Sequence, residues 1–109
     1  MCDNFGRQKM SVTIVSRWTT PNVETSTAIA KRAKAIWLKS GAQDFRLSQV
    51  YSGEYTGQWL VATVFEDMAA FGKAAAAMTS NAEMQKVQQD NAQLGAVMHE
   101  RWILVGLDL

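Results

Sequence analysis

A two-layer α+β fold is predicted for this chain: a four-stranded antiparallel sheet with its helices on one face. Three observations predict it. Two strand–helix–strand units follow one another, a tight hairpin between Gly53 and Gly57 joins them, and the one proline, Pro21, separates the first strand from the first helix. Right-handed crossovers in the order β-α-β-β-α-β place both helices on the same side of one sheet.

Ser11–Trp18 reads as the first strand, since Val12, Ile14 and Val15 are β-branched and nothing in the run breaks it. A helix is expected from about Val23 to Ser40. Asn22 is placed to cap it, Glu24 lies where negative charge suits the dipole, and Gly41 suits the left-handed residue that closes it. Ile29, Ala33, Ile36 and Trp37 recur at three- and four-residue spacing and form its buried stripe. The hairpin strands are expected at Phe45–Ser52 and Gln58–Phe65. With Tyr51 opposite Trp59, Gln49 faces Val61, Leu47 faces Thr63 and Phe45 faces Phe65, gathering large rings on one side. The other side carries Val50, Leu60, Ala62 and Val64, with Arg46 and Ser48 toward one end. The third strand is therefore apolar on both sides, as a central strand is.

Asp67 can cap the next helix, on which Met68, Phe71, Ala75 and Met78 share a face. Ser80-x-x-Glu83 is a capping-box pattern for a second start. Its stripe is Met84, Val87, Asn91 and Leu94, polar at one position, and Gly95 closes it. Met98–Val105 is the last strand.

This layout leaves one sheet face in water, and that face carries Val50, Leu60, Ala62 and Val64. A contiguous apolar patch of that kind is uncomfortable on a monomer, and pairing two such faces about a two-fold axis covers both. A homodimer is expected.

At 109 residues the chain reads as one domain over residues 10–109, with residues 1–9 a loose extension and Met10 a candidate alternative start. A net charge of +1 gives no electrostatic reason to expect nucleic acid or an anionic membrane as partner. Lys31, Arg32, Lys34 and Lys39 fall in the second half of the first helix, where cations suit the macrodipole. The lone Cys2 has no partner for an internal disulfide and nothing nearby to activate it. No apolar run reaches the roughly 20 residues that span a bilayer, and the first nine lack a signal peptide's apolar stretch, so cytoplasm is expected.

From about Met10 to Val105 the chain resembles the dimeric α/β-barrel superfamily, whose ferredoxin-like subunits pack sheet to sheet. The most specific local likeness is Val64-Phe65-Glu66-Asp67-Met68-Ala69-Ala70-Phe71, which is similar to a strand end, turn and helix start of the antibiotic-biosynthesis-monooxygenase and haem-degrading-monooxygenase group. In the haem-degrading members an Asn on the first strand and a Trp and a His in the second helical region carry the activity. Those positions fall here on Ser16, Ala74 and Met84, and residues 60–98 contain no histidine. Haem degradation by that mechanism is not expected. The resemblance implies instead cofactor-independent oxygenation of an electron-rich aromatic molecule, with no cofactor. The competing class is a non-catalytic binding or interaction module of the same fold.

Ala74–Ala77 serves close helix–sheet packing or leaves a cavity beside the aromatic sheet face. The walls of such a cavity would include Ser16, Trp18, Tyr51, Trp59, Met78 and Met84, a mixture suited to a small hydrophobic or aromatic ligand. Tyr51 and Trp59, near the hairpin mouth, are the first choices for contact. His99 and Arg101 are the candidate catalytic groups and share a strand face, with Glu100 pointing away. His99 is a strand-end histidine or the one acid–base group of the chain, and no carboxylate or cysteine spacing beside it makes a metal site. Arg101 pairs with an acid at a dimer edge or neutralises an anionic substrate. For Asn91 a buried amide bonded to backbone is expected rather than a ligand contact.

Overall fold

A computed structural model describes residues 10–109, and the expectations for Cys2 and the nine-residue leader lie outside the described residues. The element order is β1 (Val12–Thr19), α1 (Val23–Lys39), β2 (Asp44–Gln49), β3 (Trp59–Phe65), α2 (Met68–Met78), α3 (Ala82–Leu94) and β4 (Val97–Val105). The strands lie in the order β2-β3-β1-β4, with every neighbour antiparallel. This is the ferredoxin-like arrangement, with the second crossover made by two helices.

Local chemistry sets each helix start. The Asn22 side chain accepts from Thr25 N at 3.0 Å, and Asp67 accepts from Ala70 N at 2.8 Å. The third helix is capped by Asn81, which accepts from Met84 N at 2.8 Å. The cap thus falls one residue after Ser80, because Asn81 is an equally good acceptor, and with Met84 at the third helical position it is a simple cap and not a capping box. Gly95 ends α3 with φ +93°, a left-handed conformation that favours glycine.

The hairpin register differs from expectation. Gln49, not Tyr51, pairs with Trp59, so Leu47 pairs with Val61 and Phe45 with Thr63. A shift of two residues keeps every side chain on its expected face. It ends β2 at Gln49 and leaves residues 50–58 as a loop, tied by Val50 N to Gln58 O at 2.8 Å and Gly57 N to Val50 O at 2.9 Å.

Two core clusters result. In one, Val12, Ile14 and Phe65 of the sheet pack against Ala42 and Ala74, with Trp37 and Phe71 at the margin. The other is built between helices: Ile29 and Ile36 of α1 meet Met78, Met84 and Val87. Arg32 of α1 also bonds Asp90 of α3 at 2.7 Å, with Lys86 at 3.1 Å. The hydrogen bonds from Arg32 and Lys86 hold the Asp90 carboxyl below its ordinary pKa. Their contribution to stability is therefore present above about pH 4 and fades as pH falls through that lowered value.

The opposite sheet face has no helix on it. Val15, Leu60, Ala62 and Val64 are half-buried there, and Trp102 and Leu104 are exposed. One end of this face is polar. Arg17, 9% exposed, donates to Glu100 at 2.8 Å and to Gln58 at 2.6 Å, and its guanidinium lies 3.8 Å from the Tyr55 ring centroid. The sequence reading did not single out this cluster, because its members come from two strands and a loop.

Candidate functional site

Where the helix-to-helix cluster parts from the sheet, a cavity of about 660 Å³ remains. Its floor is set by strand pairing. Trp18 and Trp59 are partners across β1 and β3, and in the next row Ser16 pairs with Val61 on one side and Arg101 on the other. Its roof is α1, Ala75 and Met78 of α2, and Met84, Val87 and Asn91 of α3. The alanine run divides its work: Ala74 is 1% exposed in the sheet-side core, while Ala75 lines the cavity.

Of the residues expected at such a cavity, Ser16, Trp18, Trp59, Met78 and Met84 line it together. Tyr51 does not. The shortened β2 puts it in the loop, 94% exposed, away from the wall. Arg101 is on the wall and His99 is not. The cause is a β-bulge: Arg17 pairs with Glu100, but Trp18 pairs with Met98, leaving His99 as the extra residue. Met98 and Arg101 therefore both line the cavity, and His99 bonds Thr19 Oγ1 at 2.7 Å. The face expected to be shared by His99 and Arg101 does not form. Nothing in the alternation of β4 signals the bulge.

The wall mixes apolar side chains with hydroxyls (Ser16, Thr19, Thr20, Ser26, Thr27 and Thr63), two amides (Gln88 and Asn91) and one guanidinium. Trp18 Nε1 donates to Ser16 Oγ at 2.7 Å, which leaves the serine hydroxyl its own proton to donate. Opposite it, the Arg101 guanidinium lies 5.9 Å from the Phe71 ring centroid and forms no ion pair among the described residues. Arg101 is also the single ionisable side chain among the described residues of the wall. The Asn91 backbone carbonyl accepts from Gly95 N at 3.1 Å and Ala96 N at 3.0 Å. Its side-chain amide, expected to bond to backbone, makes no hydrogen bond among the described residues and faces the cavity. The site thus joins three indoles, from Trp18, Trp37 and Trp59, with a hydroxyl donor and a cation that has no ion pair among the described residues.

Residues 10–99 match the sequence model of a family described as a domain of unknown function (DUF6854). No curated protein matches the chain. Among solved structures it is similar to SnoaB, a cofactor-independent oxygenase from Streptomyces nogalater, with a TM-score of 0.64 at 16% identity over 92% of this chain and 96% of that one. A dimeric ferredoxin-like protein from an uncultured marine organism gives a TM-score of 0.66 at 12% identity, covering 93% and 99% of the two chains. A proposed antibiotic biosynthesis monooxygenase from Nitrosomonas europaea gives 0.50 at 19% identity, covering 94% and 92%. At identities this low the likeness shows the ferredoxin-like fold and leaves the chemistry to the residues.

Proposed function

The chain belongs to the DUF6854 family, whose description carries no activity, and from its cavity we propose that it binds a small, flat, largely apolar molecule bearing one acidic oxygen. The observation that carries this is the 660 Å³ space walled by Trp18 and Trp59, with the unpaired Arg101 beside Ser16. Its volume is that of a small-molecule site, and polar groups set in a mostly apolar wall suit one oriented ligand. Arg101 and the Ser16 hydroxyl supply donors to the acidic oxygen, and the indoles supply stacking faces.

In the enzymatic form of this reading the ligand is an electron-rich phenol or enol oxidised by O2 without a cofactor. SnoaB, a cofactor-independent oxygenase of the same fold, supports that form. The wall offers no carboxylate or imidazole as general base, so the substrate must ionise to solvent. Arg101 favours that step by lowering the substrate's own pKa, as an opposite charge does. The same lack of a base supports a second reading, a non-catalytic binding module. Oxygen uptake with substituted hydroquinones and naphthols separates the two. An oxygenase is expected to show uptake that rises with pH through the substrate's pKa, displaced to lower pH than in free solution, and indifferent to His99→Ala. Absence of uptake from every compound that binds would leave the binding module.

The assembly in this reading is a homodimer in the cytoplasm, joined through the helix-free sheet face. The half-buried Val15, Leu60, Ala62 and Val64 support it, as does the dimeric state of the marine ferredoxin-like neighbour. In the described residues no helix is long and apolar enough to cross a membrane. Sedimentation at micromolar concentration should give twice the protomer mass, and Leu60→Lys should halve it. A wild-type protomer sedimenting alone would refute the dimer.

A further inference from the structure

We infer that Asn91 is a specificity-determining residue of the cavity, its amide reading a neutral oxygen at the end of the ligand remote from Arg101. This rests on the cavity-binding reading above and adds a second oxygen to the ligand. On α3 the inward positions run Met84, Val87, Asn91 and Leu94, and the first two are 5% and 3% exposed. A leucine or methionine at the third position would continue the stripe. The amide there is half-buried, faces the cavity and has no hydrogen-bond partner among the described residues. A helix interior does not need it, since the cap uses only its backbone carbonyl.

Of the other polar side chains on the wall, Gln88 is exposed to solvent and most hydroxyls are already committed. The Thr20 and Ser26 hydroxyls bond each other at 2.6 Å, and Thr27 donates to Val23 O at 2.8 Å. Thr19 is engaged with His99, and Trp18 with Ser16. Asn91 therefore keeps its two N–H donors and its acceptor oxygen for a guest. It can serve a hydroxyl or a carbonyl equally, but its neutrality makes it a poor anchor for an anion. The anion belongs at Arg101.

Asn91 on α3 and Arg101 on β4 stand on different elements of one wall, so a ligand that meets both carries an oxygen for each.

Quenching of tryptophan fluorescence by 2-naphthoate and by 6-hydroxy-2-naphthoate tests this. Wild-type protein should bind the hydroxylated acid about tenfold more tightly than the parent acid. In Asn91→Leu that ratio should fall to about one, with the far-UV circular dichroism of a folded protein. Asn91→Ala provides the same ratio should the leucine disturb the helix. Equal binding of the two acids by wild type, or an unchanged ratio in both variants, overturns the role of Asn91 while leaving the cavity as a binding site. Failure of both acids to bind overturns the cavity reading and this inference together.

Discussion

Phe65→Ala is expected to lower the free energy of unfolding by about 3–5 kcal/mol, the range for a fully buried ring. Phe65 is 0% exposed, at the end of central strand β3. Its ring meets Trp37 edge-on with centroids 5.8 Å apart and Phe71 with centroids 5.4 Å apart. It therefore joins α1 and α2 to the sheet at one point. Removing it opens a hole that merges with the cavity Phe65 already borders, so the neighbours have little reason to collapse inward. A domain of this size has about 5–15 kcal/mol in total, and the variant should be partly unfolded near 37 °C. Denaturant titration with an unchanged slope gives the number. A loss under about 1.5 kcal/mol would show that the helix layer repacks over the gap.

Arg101→Met should weaken binding of 2-naphthoate about a hundredfold, measured by the same fluorescence titration. Methionine keeps the apolar stem and gives up the guanidinium with its approach to Phe71, so the change removes the cation and little packing. A hydrogen bond to an ionised group contributes about 1.5–3 kcal/mol, and a guanidinium can place two on one carboxylate. Arg101→Lys should recover part of the loss, since it restores a cation without the planar fork. Neutral methyl 2-naphthoate should bind wild type and Arg101→Met alike, which a packing defect would not produce. Wild-type affinity of Arg101→Met for the acid would remove the guanidinium as anchor and the acidic-ligand reading with it.

Much of the architecture was legible because alternation and helical spacing report which face a residue occupies. Phe45, Leu47, Trp59, Val61 and Phe65 lie on the face that alternation assigns them. Register along that face is a different quantity. It depends on how many residues the loop from Val50 to Gln58 withdraws from the ladder, and local preference cannot count them. Tyr51 was lost to the cavity for that reason. Met78, Met84, Trp18, Trp59 and Ser16 were found at it because small residues beside large ones on facing elements imply space between them. His99 was misplaced by an extra residue opposite Arg17 and Trp18, a feature set by tertiary pairing. The free amide of Asn91 was equally invisible, since a sequence shows a polar residue in a stripe but not whether it finds a partner.

The split interior has a biological corollary. One cluster binds helices to sheet and the other binds helices to one another; Trp37 packs against both, and the void borders both. A guest lodged in that void acts as a keystone between the layers. At a free concentration one hundred times its dissociation constant it would add about 2.7 kcal/mol to a marginal fold. Vacant protein would open more often and be cleared sooner by proteases than filled protein. Cellular abundance of this chain would then track the supply of its small molecule, even with transcription held constant.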